Sequence, residues 1–375
     1  MSGSSPIPYV NLAGQHAPLC GELLAAAERV IRHGQFILGP EVAEFEQRFA
    51  ELCGVRHAVG VGNGTDALVL GLRVLGVGAG DEVITAPNSF VASTSAIALV
   101  GARPVFVDVA ADLNIDVARI EAAITPRTRA ILPVHLTGRP VAMGALMAIA
   151  RRRGLAVVED CAQAVAAECE GQRVGSFGNV GCFSLHPLKT LNACGDGGVL
   201  TTNDPVIDRR LREMRNLGLA TREDCVVWSG NSRLDTMQAA FLLVKLKHLE
   251  EWTVRRRAQA DAYRRLLAGI PEIELPPVER SNDRAVYHTF VVQVERRDDL
   301  RAFLKERAIG TQVHYPVPIH LQSAARDLGV GPGSFPATEA QAGRILSLPV
   351  YPELNVEDLT RVASTIRTFY SRPSA

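Results

Sequence analysis

The chain has 375 residues, 47% hydrophobic and 21% charged, the balance of an ordinary globular protein with ample apolar side chain for a core. Forty basic residues meet forty acidic ones, so no net field exists to hold a nucleic acid or an anionic membrane surface. These figures exclude large-scale disorder, and the length predicts about two domains.

Residues 1–10 carry neither a basic nor an apolar run, which predicts no signal peptide. No stretch reaches the ~18 apolar residues of a membrane span; the longest candidate, 67–77, is interrupted by Arg73. Seven cysteines, an odd number with no C-x-x-C pair, predict free thiols in a reducing cytoplasm, with neither a disulfide framework nor a metal site.

Strands are predicted at 57–62, 82–86, 105–109, 130–134 and 156–160, alternating with helices at 65–75, 90–100, 117–124 and 145–153. Two further apolar runs, 181–185 and 198–202, follow without long helices between them. Runs apolar on both faces, alternating with helices, predict a three-layer α/β sandwich with a mainly parallel sheet. The short connection near Gly195–Gly198 predicts one antiparallel member. Residues 235–270 read as one long helix, with Leu242, Leu246 and Leu249 at helical spacing. Beyond it, strands at 287–294 and 310–313 and helices at 299–307 and 356–369 predict a smaller α+β domain. Residues 315–318 and 329–336 read as loops. The predicted division is a large unit over 1–245 and a small one over 246–375.

Only four of the forty basic residues are lysines, Lys189, Lys245, Lys247 and Lys305; the other 36 are arginines. Chemistry that needs a deprotonatable amine therefore has four candidates, because arginine stays protonated. Lys245 and Lys247 read as the charged side of the long helix, and Lys305 as part of an amphipathic helix, so all three are expected at the surface. Lys189 differs. It follows an apolar strand and a Pro turn in Ser184-Leu185-His186-Pro187-Leu188-Lys189, with Gly195-Asp196-Gly197-Gly198 soon after. A dry pocket there would lower the amine's pKa and make it a nucleophile toward carbonyls.

Two other turns stand beyond strand ends, where such folds place ligands. Gly60-Val61-Gly62-Asn63-Gly64-Thr65-Asp66 suits an anion at a helix N-terminus, or simply a tight turn. A dinucleotide site fits less well, because position 65 breaks G-x-G-x-x-G. Val157-Val158-Glu159-Asp160 delivers Asp160 to a strand end, either as a buried carboxylate with a cationic partner or as a turn cap. An amine, a carboxylate and an anion cradle together match the needs of pyridoxal phosphate.

The chain also resembles the DegT/DnrJ/EryC1/StrS sugar aminotransferases, within fold type I of the pyridoxal-phosphate enzymes. The resemblance spans nearly the whole length. It rests on Gly34-Gln35-Phe36-Ile37-Leu38-Gly39-Pro40, Asn63-Gly64-Thr65-Asp66, Val134-His135-Leu136-Thr137-Gly138, Glu159-Asp160-Cys161-Ala162-Gln163, His186-Pro187-Leu188-Lys189, Gly195-Asp196-Gly197-Gly198, Asn231-Ser232-Arg233-Leu234 and Leu346-Ser347-Leu348-Pro349.

The resemblance implies that Lys189 holds the cofactor as a Schiff base and later moves the substrate proton. Asp160 would keep the ring nitrogen protonated, and Gln163 would bond the ring 3-oxygen side. Gly64, Thr65 and Ser184 would bind the phosphate, with Asn231 reaching in from a second subunit of a homodimer. Phe90 would cover a ring face, unless it is plain core. The implied reaction is ping-pong, through pyridoxamine phosphate, from L-glutamate or glutamine to a nucleotide-linked ketosugar. Asp196 leans toward 3-ketosugars and His186 the other way, which leaves a lean toward C3. Tyr315 and His320 would approach the acceptor sugar or serve the fold. A cyclitol or other keto acceptor, a sugar dehydratase, and a non-catalytic cofactor-binding regulator are the alternatives. Retention of Lys189 argues against the dehydratase.

Overall fold

The computed structural model describes residues 5–371. Residues 1–4, the start of the stretch inspected for a signal peptide, lie outside the described residues, as do 372–375.

Seven strands form the main sheet: β1 (His57–Val61), β2 (Glu82–Thr85), β3 (Arg103–Phe106), β4 (Thr128–Ile131), β5 (Ala156–Asp160), β6 (Val180–Ser184) and β7 (Gly198–Thr202). Their order is β1-β7-β6-β5-β4-β2-β3. Only β7 runs antiparallel, pairing with β1 and β6, as the short connection at Gly195–Gly198 predicts. Ser184 and Val61 both sit opposite Gly198, while Asp160 sits opposite Cys182. The carboxyl ends of β1, β5 and β6 therefore share one edge of the sheet.

Helices cover both faces, so β2, β5, β6 and β7 carry largely apolar runs, buried throughout except at Ala156, the first residue of β5. The helix Gly64–Val74 follows β1, and Val91–Leu99 follows β2. The predicted 117–124 helix is one α turn, Val117–Ile120, continued as the 3-10 turn Glu121–Ala123. Two N-terminal helices that the sequence reading left out, Cys20–His33 and Pro40–Cys53, flank the Gly34–Pro40 motif.

The predicted long helix is two helices, Thr236–Leu246 and Leu249–Leu267. No Gly or Pro marks the break, and the leucine spacing runs straight across it, so local signals suggest one rod. The division is tertiary. Thr236–Leu246 buries Ala239 and Leu242 against the large-sheet core, whereas Leu249–Leu267 turns Ala260, Tyr263 and Leu267 into a second core.

That second core lies under a three-stranded antiparallel sheet of Ile273–Glu274, Phe290–Val294 and Ile345–Leu348, with helices Arg297–Glu306 and Val356–Tyr370. The predicted strand at 310–313 is reduced to isolated bridges, Ile7 with Ile309 and Gln312 with Ser347. The first joins the N-terminal segment to this region, and Ile7 is buried in its core. Residues 315–318 and 329–335 are indeed non-helical, but Pro336–Arg344 is a helix that the Gly/Pro-rich stretch concealed. No helix among the described residues is long and apolar enough to cross a membrane.

Candidate active site

The shared sheet edge opens into a cavity of about 420 Å³. Gly64, Thr65, Phe90, Asp160, Gln163, Ser184, His186, Lys189, Asp196 and Tyr315 all line it.

The anion cradle begins at the helix Gly64–Val74. Its N-cap Asn63 accepts from the Asp66 N–H at 2.9 Å, leaving the Gly64 and Thr65 N–H groups without acceptors in the helix itself. A Cβ on Gly64 would lie 2.6 Å from the Ser184 Cβ, so only glycine lets the helix start approach β6 this closely. Two N–H groups, a positive dipole end and a hydroxyl converge there.

Asp160 ends β5 and is 4% exposed. Its Oδ2 accepts from the Ser93 hydroxyl at 2.7 Å and its Oδ1 from the Ala162 N–H at 3.1 Å. Burial raises its carboxyl pKa, and these donors only partly oppose the rise. Asp160 takes part in none of the ion pairs found among the described residues, so a pyridinium N–H would supply the cationic partner a buried carboxylate lacks.

Lys189 stands on the loop after β6. Its N–H donates to the His186 carbonyl at 2.8 Å. Burial lowers the amine's pKa, opposed by the Asp160 charge, which favours the neutral nucleophile. Gln163 is spoken for at both ends: its Oε1 accepts from the Thr137 N–H at 2.7 Å and its Nε2 donates to the Tyr315 hydroxyl at 3.1 Å. Phe90 is 53% exposed with its ring facing Tyr315 at 5.6 Å, which removes the core-packing reading.

Two expected site residues fall elsewhere. His320 is fully buried, bonds Glu339 at 3.0 Å, packs edge-on to Phe335 and does not line the cavity. The 3-10 turn Ile319–Leu321 directs it toward helix Pro336–Arg344 instead, where it bonds Glu339. Asn231 is exposed and outside the chain's own cavity. Lys245 also departs from expectation. It is fully buried, whereas Lys247 and Lys305 are exposed. The cause is the break at 247–248, which makes Lys245 part of a helix packed against the core.

Several wall residues escaped the sequence reading: Tyr9, Ser93, Arg256, His288 and His314. Ser93 was findable, one helical turn from Phe90. Arg256 lies in a charged run, yet it falls in the buried series Leu249, Trp252, Thr253, Arg256, Ala260 and Tyr263. It donates to the Val350 carbonyl at 2.7 Å, and burial lowers its pKa to about 10, still charged at neutral pH. Burial and the nearby Lys189 lower His314 to about 4 and hold it neutral. Tyr9 and the two histidines carry no local signal, because chain ends and loops far apart in sequence bring them here.

His135, Glu159 and Cys161 cluster behind the site. Glu159 accepts N–H groups from Gly175, Phe177 and Gly178 at 2.7–2.9 Å and faces the His135 Nε2 at 3.2 Å. These donors satisfy the carboxylate without an ion.

A sequence model of the DegT/DnrJ/EryC1/StrS aminotransferase family matches residues 19–367. The chain is 45% identical over 367 residues to a dTDP-3-amino-3,4,6-trideoxy-alpha-D-glucose transaminase of Streptomyces venezuelae, covering 98% of this chain and 97% of the relative. It is equally 45% identical, over 362 residues, to the erythromycin biosynthesis sensory transduction protein EryC1 of Saccharopolyspora erythraea, covering 96% and 99%. The crystal structure of S. venezuelae DesV in complex with ketimine intermediate superposes with a TM-score of 0.96 at 44% identity, covering 99% of this chain and 100% of that one. A family match over this span, joined to a near-complete structural superposition, leaves one assignment: the chain belongs to the DegT/DnrJ/EryC1/StrS aminotransferase family.

Proposed function

We propose that the chain transfers an amino group from L-glutamate to a nucleotide-linked ketosugar, with preference for a 3-keto acceptor, as a cytoplasmic homodimer. The observation that carries the reading is the single cavity in which the Lys189 amine, the buried Asp160 carboxylate and the Gly64–Thr65 helix start converge. The 3-keto preference is supported by the 3-amino product named for the S. venezuelae relative and by Asp196 on the cavity wall.

Bound pyridoxal phosphate supplies the electron sink and carries the amino group between half-reactions. The protein's own residues do the rest. Gly64, Thr65 and Ser184 hold the phosphate. Asp160 keeps a proton on the ring nitrogen, and Ser93 holds that carboxylate in place. Lys189 would hold the cofactor through its Nζ and move the substrate proton there. Gln163, braced by Thr137 and Tyr315, would bond the ring 3-oxygen side. Phe90 would cover a ring face and exclude water. Asn231, exposed and outside its own chain's cavity, would complete the partner's phosphate site. The proposed division is a large cofactor-holding unit of 1–245 and a small C-terminal unit of 246–375, with Ile7 packed into the core of the second.

The name borne by EryC1 favours a second reading, a cofactor-binding regulator. One experiment separates them. The purified protein should show a visible cofactor band that glutamate bleaches and that Lys189→Ala lacks. A panel of ketosugar nucleotides with glutamate should then yield an amino product by mass. Bleaching without any product across 3-keto and 4-keto acceptors would leave the regulator standing, and no bound aldehyde cofactor would sink both.

A further inference from the structure

Lys245 is the buried lysine that the reaction does not use. It occupies the penultimate position of the helix Thr236–Leu246. Its Nζ donates to the Asn192 carbonyl at 2.9 Å and the Asn192 Oδ1 at 2.7 Å, and lies 3.6 Å from the Cys194 Sγ. An ammonium has three donors, and these three acceptors match them. No carboxylate pairs with it among the described residues, although a buried charge without a counter-ion is costly. Asn192 is itself buried. Its Nδ2 donates to the Lys189 carbonyl at 3.1 Å and to Gln15 Oε1 at 3.2 Å. Gln238, seven residues before Lys245 and so on the same helix face, accepts the Cys194 N–H at 2.8 Å. One helix face therefore grips the back of the loop whose front carries the catalytic amine.

We propose that Lys245 is a positioning residue: through Asn192 it fixes the main chain at Lys189 and so sets where the Lys189 amine stands. The proposal rests on Lys189 being the cofactor-linked amine. A lysine side chain is a flexible four-carbon stem, so its root must be held for its tip to be placed. The Lys189 N–H is held by the His186 carbonyl and the Lys189 C=O by Asn192. The Asn192 Oδ1 takes the Lys245 donor at 2.7 Å, well inside its 3.4 Å approach to the His16 Nε2, so Lys245 supplies the stronger hold on its orientation. Displacement of a reacting group by about 1 Å is enough to slow a step ~100-fold.

The test compares Lys245→Met, Asn192→Ala and the double variant as cofactor-loaded enzymes. The visible band should persist in all three, with its pH midpoint moved by about 0.5 unit or more. The catalytic constant kcat should fall about 10- to 100-fold, while KM for both substrates stays within about 2-fold. Amide exchange across residues 186–194 should speed up. The double variant should be no worse than the more severe single one, because the two residues act in series. A wild-type midpoint and kcat in folded Lys245→Met overturns the proposal, even if the melting temperature falls. So do effects that add in the double variant. If Lys245→Met does not fold, Asn192→Ala decides alone, since it leaves the main-chain acceptor of Lys245 intact. A band that survives in Lys189→Ala would instead refute the role of Lys189 itself.

Discussion

Ser93→Ala isolates one hydrogen bond at the centre of the site. The hydroxyl reaches Asp160 Oδ2 at 2.7 Å and, among the described residues, is the only side-chain donor bonded to that carboxylate; the Ala162 N–H holds the other oxygen. Alanine removes the donor without adding bulk. Ser89, which otherwise bonds the Ser93 hydroxyl, can turn to the Phe90 carbonyl at 3.2 Å, so no second polar group is stranded. A hydrogen bond to a charged group is worth about 1.5–3 kcal/mol, and one pKa unit about 1.4 kcal/mol. Losing a bond that favours the ionised form should therefore raise the Asp160 pKa by about 1–2 units, adding to the rise that burial already causes. The assay is the pH dependence of the half-reaction with glutamate, followed by loss of the visible band in single turnovers. The acid limb should move up by about 1–2 pH units, while Ser93→Thr, which keeps the hydroxyl, stays near wild type. In an Asp160→Asn background, Ser93→Ala should not move the limb. A limb within about 0.3 unit of wild type in loaded Ser93→Ala would refute the claim that this bond holds the carboxylate ionised.

The remaining predictions concern stability, the relocated histidine and the partner subunit. Asp160 has a folded pKa above its unfolded value near ~3.9, so the stability it contributes is full below that value and declines as pH rises through the folded pKa. Asparagine stays neutral, so in cofactor-free protein the melting temperature of Asp160→Asn relative to wild type should rise between pH 4 and 8; a flat difference contradicts the burial argument. His320→Gln should lower the melting temperature yet leave KM for both substrates within about 2-fold, because its contacts are Glu339 and Phe335; a selective rise in the sugar KM would return it to the site. Mixing Asn231→Ala with Lys189→Ala chains should restore one intact site per mixed dimer, and activity no greater than the sum of the separate proteins would end the shared-site reading.

Much of the fold was legible because its signals are local. Buried parallel strands read as unbroken apolar runs, and helices as periodic ones, so the α/β order from 57 to 202 follows from residue spacing. The central site was legible for the same reason: Gly64, Asp160, Ser184 and Lys189 each end or follow a strand, and parallel strands place their carboxyl ends on one edge. What lies between units was not. The break between Leu246 and Leu249 has no breaker residue, and the separation of two cores imposes it. Tyr9 reaches the cavity from the N-terminal segment, and His288 and His314 from loops beside the chain's second core, a closeness that only packing creates. The lysines show the limit best. Composition singled out four amines among forty cations, and a strand end singled out Lys189. Lys245 looked like surface charge, because the charged run after it resembles a solvated face. Only tertiary structure turns it inward, where a loop carbonyl, an asparagine and a thiol replace its water.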